Sequence, residues 1–360
     1  MRARVILGEV WRDVVSGTTR AGLLAVVFVV LVGSVALVDV RSVAGVVQGG
    51  VGFRAAGATV QMLQAPGLVD GWRCDALSDL GSVSYAGAVR QAEPVRILNL
   101  PSARVTVIEA TPGVVGMLSV MGRAWTDEAI PDGVWLSEDL ATMLGAAPGT
   151  VLETSTGEAV VQGVYAWPDD GRSRDLGYAI LTPVPAAGVF DQCWLEVWPV
   201  DAEAASLAYT SLTRPPEGGQ VTTGQLNTRL GASYDAAGLL RGRLTAQAPL
   251  AGLVIGLGLG YVAVRTRRLE IASALHARVP RAGLLLQYVL EVAAWAGAGM
   301  VILAAGLLWG ARWDNPDRSW ATWLIGLRIV VAGGAATIFG ALAALATTRE
   351  KHLFRYAKER

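Results

Sequence analysis

Residues 265–291, RTRRLEIASALHARVPRAGLLLQYVLE, lie between two apolar runs, 249–264 and 292–310, neither of which contains a charge. A basic, leucine-punctuated segment joining two such runs reads as a cytoplasmic loop. It is expected to form a short helix and to hand force or information to something outside the membrane. That receiver is expected to be a separate polypeptide.

The chain has 360 residues with only 17% charged, and its mean hydropathy is +0.43. It is too apolar for an ordinary soluble domain and too polar to lie wholly in lipid, so a membrane protein with one substantial aqueous domain is expected. The formal net charge is zero, which removes the global basic field that a nucleic-acid partner would need.

Residues 1–20 read as an N-terminal amphipathic helix: Val5, Ile6, Val10, Trp11, Val14 and Val15 recur at helical spacing among Arg4, Glu9, Arg12 and Asp13. The first span is expected over 21–39; its uncharged part, 21–38, is near the minimum for a hydrocarbon core of about 30 Å. Small residues near Ser34 and Ala36 would permit signal cleavage, but the polar lead-in and the length of the run favour a retained anchor.

The aqueous α+β domain is expected over 40–243, with strands near 58–63, 104–108 and 159–164 and helices over 68–80, 137–144 and 201–212. A strand, helix and strand around 68–80 recur in the same order over 194–222. This weak repeat makes the domain discontinuous, with an inserted subdomain at about 111–191.

Span two, 244–264, carries Ala248, Gly252, Gly256 and Gly260 at every fourth position, a face that lets another helix approach closely. Spans three (292–310) and four (324–347) are joined by a short outer loop, 311–323, and residues 348–360 form a tail. Trp309, Trp313, Trp320 and Trp323 mark that outer region as interfacial. Arg328 reads as an anchor snorkelling to the headgroups. Glu291 and Gln287 read as belonging to an amphipathic surface helix ahead of the third span.

Arginines flank the start of span one, fill the 265–291 loop and recur with Lys351 and Lys358 in the tail, whereas Arg312 and Arg318 are opposed by Asp314 and Asp317. Positive-inside orientation then puts both termini in the cytoplasm and the large domain outside. In that oxidising setting, Cys74 and Cys193 fall in the two related halves of the domain. A bridge between them is favoured over two free thiols.

Four spans, a large domain after the first and a basic loop between the second and third resemble the layout of the FtsX-like permease family that includes MacB. RTRRLEIASAL resembles that family's cytoplasmic motif, and Glu291 the acidic residue that closes the segment. DGVWLSEDLATMLGAAPGTVLE followed by AVVQGVYAWPDD is similar to the MacB-type core domain, and GALAALATTREKHLFRYAKE to the exit from the fourth span. Where members carry Leu-Gly-Ala after the coupling helix, this chain has Leu275, His276 and Ala277.

The resemblance implies a porter-like discontinuous domain and a mechanotransmitting permease without enzymatic activity. It also implies cytoplasmic ABC ATPase subunits as partners, which bring ATP and Mg, since this chain has no P-loop. ATPase coupling is then expected at Arg267, Arg268, Leu269, Glu270, Ile271, Leu275 and His276, with Leu269, Ile271 and Leu275 fitting a groove and Glu270 pairing with a partner or with Arg267.

A second permease, the same or a related chain, is expected, with the row Ala248, Gly252, Gly256 and Gly260 as one candidate contact. The membrane lipids are a further partner, and a lipoprotein, adaptor or cell-wall hydrolase would be the envelope partner. Two other classes compete. An enzyme in the outer domain would lack histidine there, since His276 and His352 are the only two, and these do not form a metal-ligand pattern. A sensor or scaffold would relay an external binding event without transport.

Overall fold

The computed structural model describes residues 3–17, 20–98, 100–122, 133–215, 221–317 and 320–348. Trp125, Asp127, Glu128, Arg318, His352 and the tail beyond Thr348 lie outside them.

In chain order the helices are α1 (Ala3–Val15), α2 (Ala21–Ala55), α3 (Gly71–Asp75), α4 (Pro112–Gly122), α5 (Glu138–Leu144), α6 (Ala202–Leu207), α7 (Ala236–Gly242), α8 (Ala248–Arg265), α9 (Arg268–His276), α10 (Arg281–Arg312) and α11 (Trp320–Thr347). The strands are β1 (Val60–Asp70), β2 (Val83–Gln91), β3 (Val95–Ile97), β4 (Leu100–Ala110), β5 (Val134–Ser137), β6 (Val151–Thr154), β7 (Gly157–Tyr165), β8 (Ala179–Pro183), β9 (Val189–Val197) and β10 (Thr222–Gln225). They form two compact units: a helical one, Met1–Gln48 with Ala236–Arg360, and a β-rich one, Gly49–Asp235.

Among the described residues, four helices are long and apolar enough to cross a membrane: Ala21–Ala55, Leu244–Arg265, Arg281–Arg312 and Trp320–Thr347. Two of them outrun the sequence expectation. α2 does not stop at residue 39 but continues to Ala55, because Val40, Val43 and Ala44 extend its buried face past the charges Asp39 and Arg41. It ends before Gly57, whose φ of +70° breaks the helix.

α10 likewise begins at Arg281, so 281–291 is not a separate surface helix. Leu284, Tyr288 and Glu291 are buried on the same face as Val292 and Trp295. The helical core combines Phe28, Val32 and Ala36 with Tyr288, Val292, Trp295, Leu303 and Ile329.

In the β-rich unit, β1–α3–β2 and β9–α6–β10 are the two strand–helix–strand halves. Their strands lie in the order β10-β1-β9-β2 with antiparallel neighbours. This is the split βαβ, ferredoxin-like arrangement.

The helix expected over 68–80 is shorter, since β1 runs to Asp70 before α3 and a 3₁₀ turn, Ala76–Asp79. The helix expected over 201–212 is α6 followed by a 3₁₀ turn. Asp201 caps the start by accepting the Glu203 amide at 2.9 Å.

The insertion starts earlier than residue 111. β3 and β4 join β6, β7, β5 and β8 in a ring, closed where β4 pairs with β8 in parallel through Thr106–Ala179 to Ala110–Pro183. Each strand of this ring has a paired neighbour on both sides. Ile97, Val105, Leu136, Leu140, Leu152, Val161 and Ile180 form its core.

β9 is the central strand. Cys193, Leu195 and Val197 pack with Leu77 and Ala208 on one face, while Trp194 packs with Met117 and Leu118 of α4 on the other. Covered on both faces, its last five residues are all buried, and the alternation that marks a half-exposed strand is lost.

Candidate coupling site

α8 ends where the Thr266 and Arg267 amides reach back to Val262 and Val264, and α9 begins at the next residue. Arg267 therefore sits at the joint between two helices, and its side chain turns inward, only 14% exposed. Its Nε donates to Glu270 Oε2 at 2.8 Å and its Nη1 to Glu291 Oε2 at 2.5 Å, while Nη2 lies 3.9 Å from Asp13 Oδ2. The guanidinium carbon is 4.8 Å from the centre of the Tyr288 ring, a cation–π contact.

Gln287 closes the group by donating to Asp13 Oδ2 at 3.1 Å and to Glu291 Oε1 at 3.2 Å. One arginine thus ties the start of α9 to α1 and to α10. Burial works against its charge, but Tyr288, Glu270 and Glu291 outweigh burial and hold its pKa above the ordinary arginine value.

The carboxylates differ in setting: Glu291 is 4% exposed and Glu270 is 60% exposed. Glu291 needs its cation, because an isolated buried carboxylate is strongly disfavoured. Glu270 does not.

The expected docking residues divide. Glu270 and His276 lie on the exposed side of α9 with Ser273, and Arg268 and Leu269 are half-buried. Ile271 is 2% exposed and belongs to the helical core, against which Leu275 also packs. These two hold α9 to the bundle, so the expectation that they enter a partner's groove is corrected. Sequence spacing identifies an apolar face but not what covers it.

The missing glycine has a structural answer. α9 closes with the Arg278 amide on the Leu275 carbonyl (3.1 Å) and the Val279 amide on Ala274 (3.1 Å), a Schellman stop. The left-handed residue of that stop is Arg278, at φ +61°. Pro280 then caps α10.

The small-residue row is also reassigned. Ala248, Gly252, Gly256 and Gly260 are all buried, and they face α11 of the same chain. A Cβ on Gly256 would strike the Gly333 carbonyl oxygen and one on Gly260 that of Thr337, while Gly340 of α11 makes the reciprocal approach to Leu257. The row is consumed within the bundle and is not free to contact a second copy.

Sequence reasoning missed two charged clusters. Asp39 of α2 is fully buried; its Oδ1 accepts from Arg243 Nε at 2.9 Å and its Oδ2 lies 3.6 Å from Arg328 Nη2. The available signal was an acid directly after an apolar run and an arginine inside another.

In the β-rich unit the end of α2 is gripped. Arg54 pairs with buried Glu196, Arg172 Nη2 donates to the Ala55 carbonyl at 3.1 Å, and Asn227 Nδ2 donates to that of Ala56 at 2.9 Å. These donors satisfy carbonyls that a helix end leaves open. Arg172 is itself held by Asp170 at 2.9 and 2.7 Å. Burial tends to raise the Asp170 pKa, but Arg172 outweighs it and holds the carboxyl below its ordinary value.

Cys74 of α3 and Cys193 of β9 are bonded, with Cα atoms 5.9 Å apart and both residues fully buried. Trp194 is core, Trp167 stands over Arg172, and Trp198 stacks on Tyr234. The same unit has a cleft of about 580 Å³ lined by Gln91, Thr106, Asp175, Tyr178, Asp191 and Gln192, among others. Among the described residues, no group of three or more His, Cys, Asp or Glu is arranged to hold a metal.

No protein-family model matches the sequence, and no curated protein matches it. The solved structures similar to part of it include the following two. One is a domain described as that of a permease protein from Porphyromonas gingivalis, with 16% identity and a TM-score of 0.32, covering 41% of this chain and 78% of that one. The other is the extracellular domain of the noncanonic ABC-type transporter YknZ from Gram-positive bacteria, with 10% identity and a TM-score of 0.28, covering 41% of this chain and 88% of that one.

Proposed function

We propose that this chain is the membrane-spanning permease subunit of an ABC transporter of the FtsX/MacB type, set in a bacterial cytoplasmic membrane with both termini inside. A separate cytoplasmic ATPase, which binds ATP and Mg, pushes on α9, and the movement passes through the helices to the β-rich domain. The chain itself carries out no chemistry.

The observation that carries this reading is the Arg267 joint. A short helix between the second and third apolar helices is tied by one buried guanidinium to Glu291 of α10 and Asp13 of α1, while Glu270, Ser273 and His276 stay exposed. A push on the exposed side of α9 reaches two other helices without crossing a flexible link. The four apolar helices and the β-rich unit between the first and second agree with this layout.

The work done outside is export or extraction of a peptide, drug, lipid or lipoprotein, or activation of a cell-wall hydrolase. A second permease chain pairs with this one through a face other than the glycine row. The test is purification of the tagged full chain in nanodiscs, with every stoichiometric companion identified by mass spectrometry. Recovery of a P-loop ATPase is expected; recovery of the chain alone across several detergents would move the assignment to a sensor or scaffold.

A further inference from the structure

We infer that Arg328 of α11 holds the phosphate of a membrane lipid, and that Asp39 and Arg243 are built around it to make that site. On α11, Leu324 is 53% exposed, Val331 48% and Phe339 64%, one turn before, one turn after and three turns after Arg328 on the same side. That stripe is an exposed apolar side of the helix, and the Arg328 side chain lies within it, 48% exposed.

The depth is set by length. From Arg328 to the end of α11 at Thr347 the helix rises about 28 Å, and from the start of α2 at Ala21 to Asp39 about 27 Å. Both values match one hydrocarbon thickness of about 30 Å. Arg328 and Asp39 therefore mark the same boundary, where phosphates lie. Trp320 and Trp323 sit one to two turns beyond, in edge-to-face contact, as interfacial tryptophans do.

Charge supplies the ligand. Asp39 is one anion between two cations, so the cluster has a net positive charge. Arg243 takes the firm share: it donates to Asp39 Oδ1 at 2.9 Å and also to the Leu240 carbonyl. Arg328 reaches only within 3.6 Å of Oδ2, and that oxygen has no hydrogen bond. Among the described residues, the Arg328 guanidinium donates no hydrogen bond. An arginine on the exposed apolar side of a helix that makes no hydrogen bond of its own is matched by phosphate oxygens, which its planar fork binds in pairs. Asp39 is wholly buried and orients the guanidinium from behind without meeting the phosphate.

The test uses the full chain in dodecyl maltoside, titrated with dioleoyl phosphatidylglycerol, reading bound lipid by native mass spectrometry and the rise in melting temperature. Dioleoylglycerol, with the same tails and no phosphate, and inorganic phosphate are the separating arms. A saturable rise with phosphatidylglycerol alone is expected. Arg328→Gln should bind at least about tenfold more weakly, and Arg312→Gln, at a guanidinium that lies over Trp320, should leave that step unchanged.

Arg328→Lys keeps the charge opposite Asp39 but loses the fork, so it should fold as the parent does and bind between the two. Equal weakening by the Arg312 and Arg328 substitutions would overturn the site in favour of general surface attraction. A response to inorganic phosphate alone would make it a free-anion site. Unchanged lipid binding with loss of a chain pair in Arg328→Gln would make this face a protein contact.

Discussion

Replacing Arg267 by methionine removes the cation from beside a carboxylate that is 4% exposed, while Glu270, at 60% exposed, is left facing water. Breaking a buried pair by deleting one partner costs about 3–5 kcal/mol, whereas an exposed pair contributes at most about 1 kcal/mol. Arg267→Met should therefore destabilise the helical unit by about 3–5 kcal/mol and Glu270→Gln by no more than about 1 kcal/mol.

The double replacement Arg267→Met with Glu291→Leu removes both buried charges and leaves Gln287 bonded to Asp13. It should recover most of the loss, because a buried pair exchanged for apolar groups of similar size is often neutral. The assay is denaturant unfolding of the full chain in one detergent, followed by tryptophan fluorescence and read as a double-mutant cycle. Arg267→Met within about 1 kcal/mol of the parent, or a double variant as unstable as the single, would refute the claim that Glu291 depends on Arg267.

Further outcomes follow from individual contacts. Gly260→Val should cost about 3 kcal/mol or prevent folding, because its Cβ meets the Thr337 carbonyl. Gly258→Val, with nothing within 4 Å of its Cβ, should be tolerated in the same unfolding assay. Arg278→Gly should stabilise by about 1 kcal/mol in unfolding titrations, since a side chain at φ +61° is strained and glycine is not. Cys74→Ser with Cys193→Ser opens a link spanning 119 residues and should lower stability by up to about 4–5 kcal/mol relative to the oxidised chain.

Burial raises the pKa of Asp75 against the opposing hydrogen bonds of Thr111 and the Ala88 amide. Its favourable contribution is therefore present below the ordinary carboxylate value and lost as pH rises through the raised one. Asp75→Asn should be at least as stable as the parent at neutral pH, with the difference vanishing below about pH 4 in melting curves.

The sequence made legible what is local. Four apolar stretches, the basic loop around Arg267 and the repeated strand–helix–strand order each rest on composition or spacing within one segment. What stayed hidden depends on residues far apart in the chain. The row from Ala248 to Gly260 announces a close helix approach, yet only the matching small residues of α11, Gly333, Ala336 and Gly340, decide that the partner is internal.

Ile271 and Leu269 look alike in sequence, and the packing of α9 onto the bundle separates a core residue from a half-buried one. The charges at Asp39 and Arg41 suggested the end of a span, but a helix ends where its backbone can no longer continue, at Gly57. Arg328 was legible as a boundary residue, and its pairing with an aspartate on another helix was not.

The claim that a separate ATPase drives this chain through α9 is tested most directly by photocrosslinking. A benzophenone amino acid placed at Ser273, on the exposed side of α9, is compared with one at Ile271, 2% exposed in the core. In membranes carrying the native complex, Ser273 should capture a P-loop ATPase in a nucleotide-sensitive manner, and Ile271 only the chain itself. Failure of Ser273 to capture any ATP-binding polypeptide, with the chain folded and inserted, would contradict the account.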